Sequence, residues 1–377
     1  MNRRELLLTS AALTATAAFG RFADAAPAPA TTRAAAKMPE DVVWHDVRDW
    51  GVEGRAFSDT EAYFDRLPSR AKGVVRDPVW NLSRDTTGMS VRFETDATDI
   101  YLRYGLTKPL SLAMAHMPAT GVSGMDLYAH EESRWQYAGT VQPYSGSVLA
   151  PIGKRLAPPA SGKRPYQINL PLYNGVQSME IGVSKSAGFA GIAPRKEKPI
   201  LFYGTSITQG GCASRPGMAF THILGRRLNV PMLNFGFSGN GRTETEVAQF
   251  LAEVDAAVFV LDCMANMGVL DATGMTVAVV KLLREKRPEM PILILDQRLP
   301  AAASVVPHER EDHQRKTAEV RKAFDDLQAG GVKNLSFGPE KNPIGDDGEG
   351  TVDGSHPTDL GMMRYAEILE PELRKLL

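Results

Sequence analysis

Ile200-Leu201-Phe202-Tyr203-Gly204-Thr205-Ser206-Ile207-Thr208-Gln209-Gly210-Gly211 is the stretch on which the fold turns. A short apolar run closed by glycine reads as a strand covered on both faces, and the glycine-rich turn after it leaves a serine at the strand end. The same grammar repeats downstream. Met232–Phe235, Ala257–Asp262, Ile292–Asp296 and Asn334–Phe337 are further short apolar runs. Helix-like stretches lie near 217–229, 243–253, 272–287, 310–329 and 359–376. In one of them Val277, Val280 and Leu283 recur at helical spacing. Strand–helix alternation predicts an α/β fold, a doubly wound five-stranded parallel sheet over residues 199–377. Sites in such sheets lie beyond the carboxyl ends of the strands. The chemistry is therefore expected just after each strand.

Four such strand ends carry reactive or donor groups. Gly204-Thr205-Ser206 follows the first strand, Gly236-Phe237-Ser238-Gly239-Asn240-Gly241 the second, and Asp262-Cys263-Met264-Ala265-Asn266 the third. Asp353-Gly354-Ser355-His356-Pro357 precedes the final helix. A serine, a glycine turn rich in N–H donors, an asparagine and an Asp-x-x-His make up the inventory for attack on an acyl carbon. Ser206 would be the nucleophile. His356 would be its base, because imidazole titrates near neutrality, and Asp353 would orient that base.

Upstream the pattern is different. Residues 42–190 read as short strands with partial alternation, such as Ser90–Thr95, Ile100–Tyr104, Gln167–Leu172 and Ser178–Val183, punctuated by Gly and Pro. This predicts a β-sandwich domain ahead of the α/β half. All four tryptophans, Trp44, Trp50, Trp80 and Trp135, fall there. They read as core and edge fillers, with an exposed one able to stack on a sugar. Ser184 to Pro199, rich in small residues, Pro and Lys, reads as the linker.

Residues 1–26 read as an export signal. Arg3-Arg4 precede a mild apolar stretch that is too short to span a membrane, and Ala23-Asp24-Ala25 supplies a small-x-small cleavage pattern. The arginine pair is similar to a twin-arginine signal, the alternative being an ordinary secretory one. Either predicts a periplasmic or secreted protein, and 27–41 reads as a flexible tether. With 43 basic and 44 acidic residues, the chain has no overall field to gather nucleic acid or anionic lipid. No later segment is apolar enough for a membrane span.

The order of blocks resembles the SGNH, or GDSL, hydrolase superfamily, whose sheet is flavodoxin-like. Gly124-Met125-Asp126-Leu127-Tyr128, with Gly139 after Trp135, resembles the Gly-x-Asp-Leu-Tyr domain that precedes such hydrolases in bacterial esterases. The resemblance implies an oxyanion hole made of the Ser206 N–H, the Gly239 N–H and the Asn266 side-chain amide. It implies no cofactor and no metal. The sequence departs from the family pattern at Thr205, where Asp is usual. It departs again in the third block, Cys263-Met264-Ala265-Asn266-Met267, which lacks the usual Gly and the Asp after Asn.

Cys212 and Cys263 flank the site blocks and are either a disulfide or two buried thiols. In His308-Glu309-Arg310-Glu311-Asp312-His313 the histidines are five apart, on different helix faces, and the run with its charges reads as a solvated face. The remaining histidines, His116 among them, are isolated. The expected activity is that of a metal-independent serine esterase acting on an O-acyl group, O-acetyl foremost, of a carbohydrate or small-molecule ester. Only 301–309 and 338–352 read as irregular insertions, leaving little material for a lid over a long acyl chain. The alternatives are a lipase or thioesterase on longer acyl groups, a non-catalytic carbohydrate-binding protein, and a metal-dependent deacylase.

Overall fold

The computed structural model describes residues 40–160, 162–268, 271–296 and 299–377. The expected export signal, and the tether as far as residue 39, lie outside them. The first half supplies nine strands: β1 (Val42–Asp46), β2 (Ser90–Thr95), β3 (Ile100–Leu106), β4 (Met125–Glu131), β5 (Arg134–Val141), β6 (Ser147–Gly153), β7 (Arg164–Asn169), β8 (Val176–Ser184) and β9 (Phe189–Ile192). They form two antiparallel sheets, β1-β8-β3-β6 and β5-β4-β7-β2-β9. Alternate residues of each strand point inward, as the pleat requires. Val91 and Phe93 of β2, Leu102 and Tyr104 of β3, and Met179 and Ile181 of β8 meet in one core. The result is a β-sandwich.

Ser184 to Pro199, read from sequence as a linker, contains β9, which pairs antiparallel with β2. Phe189 stacks on His45 and on Phe93, with ring centroids 3.9 and 5.5 Å apart. The small residue that gave this segment its linker-like composition has a packing reason. A Cβ on Gly191 would lie 2.2 Å from Cγ of Trp50, so the indole rests directly on the strand backbone.

The second half supplies β10 (Ile200–Gly204), β11 (Met232–Gly236), β12 (Val258–Asp262), β13 (Ile292–Leu295) and β14 (Leu335–Gly338), all parallel, in the order β11-β10-β12-β13-β14. Eight α-helices occur among the described residues. Three are short: α1 (Asp77–Leu82), α2 (Ala119–Val122) and α3 (Ser206–Gln209). The others are α4 (Phe220–Leu228), α5 (Thr245–Leu251), α6 (Ala272–Lys286), α7 (Pro307–Ala329) and α8 (Asp359–Leu376). The sheet is covered on both faces. Leu201, Tyr203, Phe259 and Leu261 pack with α5, α6 and α7. Ile200, Phe202, Val258 and Val260 pack with α4 and α8. This is the doubly wound α/β sheet expected from sequence. Residues 301–309 are more ordered than their composition implies: Ala301–Ser304 is a 3-10 turn and α7 begins at Pro307.

The two halves share apolar packing. Phe57, Leu67, Val79 and Trp80, from the long connection between β1 and β2, join the core beneath α5–α7. Met117, Val122 and Leu172 join the core beneath α4 and α8. No described helix is long and apolar enough to cross a membrane.

Candidate active site

β10 lies between β11 and β12, with Gly204 in register with Gly236 on one side and Asp262 on the other. Connections leave in opposite directions at this point, which opens a crevice at the carboxyl rim. The three loops that follow these strands therefore begin side by side.

Ser206 is the first residue of α3, behind Thr205, whose hydroxyl caps the turn by accepting from the Ile207 N–H. Its Oγ lies 2.8 Å from Nε2 of His356. Nδ1 of His356 lies 2.8 Å from one carboxylate oxygen of Asp353. The other oxygen accepts from the backbone N–H groups of Ser355 (3.0 Å) and His356 (2.8 Å). Burial opposes the charge on Asp353, but the bonds from the His356 and Ser355 backbone and from the His356 ring outweigh it. The carboxyl is held down to about 2. Asp353 is thus a fixed anion that favours a proton on Nδ1 and leaves Nε2 to accept one from Ser206.

Across the cleft stand the two other expected groups. Gly239 adopts φ +66°, a left-handed conformation suited to glycine, and a Cβ there would meet open space. Asn266 ends the 3-10 turn Met264–Asn266. Its Nδ2 is buried and has no hydrogen-bond partner among the described residues. Ser206, Gly239, Asn266, Asp353 and His356 line one cleft of about 540 Å³. A nucleophile paired to an oriented base, opposite an unpaired amide donor, can carry out acyl transfer.

Several contributors have no motif to announce them. The Tyr173 hydroxyl, from the β-rich half, donates to the Ser206 carbonyl at 3.0 Å. Gln209 accepts from the Ser238 N–H at 2.9 Å through its side chain and donates to Asp85 at 3.2 Å. Arg66, almost fully buried, donates to the carbonyls of Asn234 and Gly236 at 2.9 Å each, fixing the end of β11. His116 reaches the rim from the β-rich half, its ring centroid 5.6 Å from that of His356. Glu309, read from sequence as part of a solvated helix face, lines the cleft. No tryptophan is among the residues lining it.

Cys212 and Cys263 are both free and buried. The Cys263 thiol donates to the Tyr203 carbonyl at 3.5 Å. Burial and the neighbouring Asp353 charge push the Cys212 thiol up to about 11, so it stays protonated.

The Gly-x-Asp-Leu-Tyr motif joins the two halves. Asp126, completely buried, accepts from Arg215 at 2.7 Å and from the Gly217 N–H at 2.8 Å. Tyr128 accepts from the same guanidinium at 2.7 Å. The motif thereby holds the loop that runs from α3 to α4, immediately after Ser206.

The family model for GDSL-like lipases and acylhydrolases matches residues 197–374, and that for the N-terminus of SGNH-hydrolase-type esterases matches 42–189. A crystal structure from Bacteroides ovatus, described as a GDSL-like lipase, is 31% identical with a TM-score of 0.84. The alignment covers 89% of this chain and 98% of that one. The chain belongs to this family of SGNH hydrolases, a class of esterases. More distant structures share the fold. A salicylyl-acyltransferase of a tetracycline biosynthetic pathway is 18% identical, with a TM-score of 0.70 over 90% of this chain and 98% of that one. A family two carbohydrate esterase from Cellvibrio japonicus is 11% identical, with a TM-score of 0.57 over 89% and 98%. No curated protein matches the sequence.

Proposed function

We propose that the protein is an exported serine esterase that removes short acyl groups, acetyl foremost, from a carbohydrate, through an acyl-enzyme and without a metal. The observation that carries this reading is the chain Ser206–His356–Asp353, with successive contacts of 2.8 Å, facing the unpaired amide of Asn266. Ser206 Oγ attacks the ester carbonyl carbon as Nε2 of His356 takes its proton. The carbonyl oxygen becomes an oxyanion held by the N–H groups of Ser206 and Gly239 and the Asn266 amide. Collapse expels the alcohol, which takes the proton from Nε2. Water then attacks the acyl-enzyme with His356 again as base, releasing the acid and restoring Ser206.

Three features support the finer part of the proposal. The cleft is walled by polar groups and small side chains, among them Ser238, Ser355, Ala265 and Ala302, which suits a short acyl group better than a long one. Glu309 offers a carboxylate to the hydroxyls of a sugar. The leading sequence has the grammar of an export signal, and an exported enzyme meets glycans rather than cytoplasmic acyl carriers.

The test is a chain-length series of acyl esters, run beside an acetylated oligosaccharide, with the wild-type protein and Ser206→Ala. Acetyl should be turned over fastest and the sugar deacetylated, and the variant should be inactive but folded. A serine-directed fluorophosphonate should label Ser206 only. Rates that climb steadily to octanoyl would move the protein to the lipase reading. Labelling elsewhere, with the variant still active, would remove Ser206 from its role.

A further inference from the structure

We propose a second ligand site, a cationic hollow between the β-sandwich and helix α4, that binds an anionic sugar chain bearing uronate groups. The hollow has a volume of about 590 Å³ and shares no lining residue with the cleft around Ser206. Arg92 of β2 and Arg134 and Trp135 of β5 line it from the sandwich, and Arg226 and Arg227 of α4 from the other side. Four guanidinium groups line it and, among the described residues, no carboxylate does.

Two of the donors are not spent on the protein. Nε of Arg92 and Nη1 of Arg226 are buried and have no hydrogen-bond partner among the described residues. Arg226 is held in place by its other arm, which donates to the Gly217 carbonyl at 2.6 Å, and by the Tyr128 ring 4.0 Å beneath it. Among the described residues, only Arg227 has carboxylate partners at the hollow, Glu367 and Glu370 at 3.5 and 3.4 Å. Asp126, which acts on Arg226 through space, is already engaged by Arg215, and Glu53, which acts on Arg92, by Arg195. Burial lowers the pKa of both Arg92 and Arg226, as expected for cations that have lost water without gaining an anion.

Buried guanidinium donors match the planar fork of a carboxylate, which accepts two parallel N–H bonds. The size and the aromatic wall point to a sugar rather than an inorganic anion. The volume is in the range of sites for whole organic ligands. Trp135 is half-buried, with Arg92 lying 5.5 Å over its ring and His130 edge-on at 5.0 Å. Its indole gives an apolar face for a sugar ring beside the charged donors.

The experiment is calorimetric titration of the full mature chain with hexagalacturonate, with cellohexaose as the neutral control and sodium sulfate as the inorganic one. Hydrolysis of a small acetyl ester is measured separately on each variant. Hexagalacturonate should bind and cellohexaose should not, and binding should weaken as salt is added. Arg134→Gln, at an exposed position, and Arg92→Gln should each lower affinity about tenfold. Trp135→Ala should weaken sugar binding, and small-ester hydrolysis should be unchanged in all three. The proposal fails if hexagalacturonate does not bind, if the variants bind it as well as the wild type does, or if cellohexaose binds equally. Sulfate binding as tightly as the sugar, with Trp135→Ala silent, would also overturn it. Because binding is read without catalysis, failure here leaves the role of Ser206 untouched, and inactivity of the esterase leaves this site untouched.

Discussion

The hydroxyl of Tyr173 donates to the carbonyl oxygen of Ser206 at 3.0 Å, so the β-rich half holds the backbone of the proposed nucleophile. Tyr173→Phe removes one neutral hydrogen bond, worth about 0.5–1.5 kcal/mol, and leaves the ring in its packing. The variant should fold with little change in melting temperature. Its kcat should fall by up to about tenfold with a smaller change in KM. An unchanged kcat would confine this bond to a structural role.

Asn266→Ala should lower kcat by about 10²–10³, the range for losing one oxyanion donor. KM should move less, because the negative charge on the carbonyl oxygen develops only in the transition state. A change confined to KM would make Asn266 a substrate-binding residue instead.

The pH dependence follows from Asp353. Its carboxyl lies at about 2 in the folded protein, against 3.8 for the free group. The stability it lends is therefore complete above 3.8 and is lost as the pH falls towards 2. Melting temperatures of wild type and Asp353→Asn should differ by a constant amount near neutrality and converge towards pH 2. A difference that persists unchanged down to pH 2 would contradict this account of Asp353.

Added zinc should inhibit, and chelators should leave the rate unchanged. Ring nitrogens of His116 and His356 and the Sγ of Cys212 lie within 4.8 Å of one another; imidazole is a zinc ligand, as is a cysteine sulfur whose proton the metal displaces. An ion held there would occupy the ring that serves Ser206. His116→Ala should raise the zinc concentration needed for half-inhibition. Activity lost to a chelator and restored by a divalent ion would point to a metal-dependent reaction.

The parallel sheet was legible because each strand is buried on both faces and so appears as an uninterrupted apolar run, Ile200–Tyr203 first among them. The rim residues were legible because they follow those runs directly. β9 was hidden because the small residue at position 191 reads as linker, whereas the cause is the indole of Trp50 pressed against it. Tyr173 and His116 gave no signal at all. Their relation to Ser206 and His356 exists only once the sandwich docks on the sheet, and no local spacing encodes that. Glu309 was misread for a similar reason: its neighbours on the helix are charged, and only the path of the chain around 300–307 turns its face to the cleft.

The unpaired amide of Asn266 also bears on how far the protein can be made heat-resistant. A buried donor that the folded chain does not satisfy costs about 1–3 kcal/mol, and the unfolded chain, free to bond water, escapes that cost. Substitutions that remove the amide should thus be among the more stabilising ones available, and they are the ones expected to disable the proposed reaction. A search guided by thermal tolerance alone would be drawn to this position and would return a sturdier, inert protein.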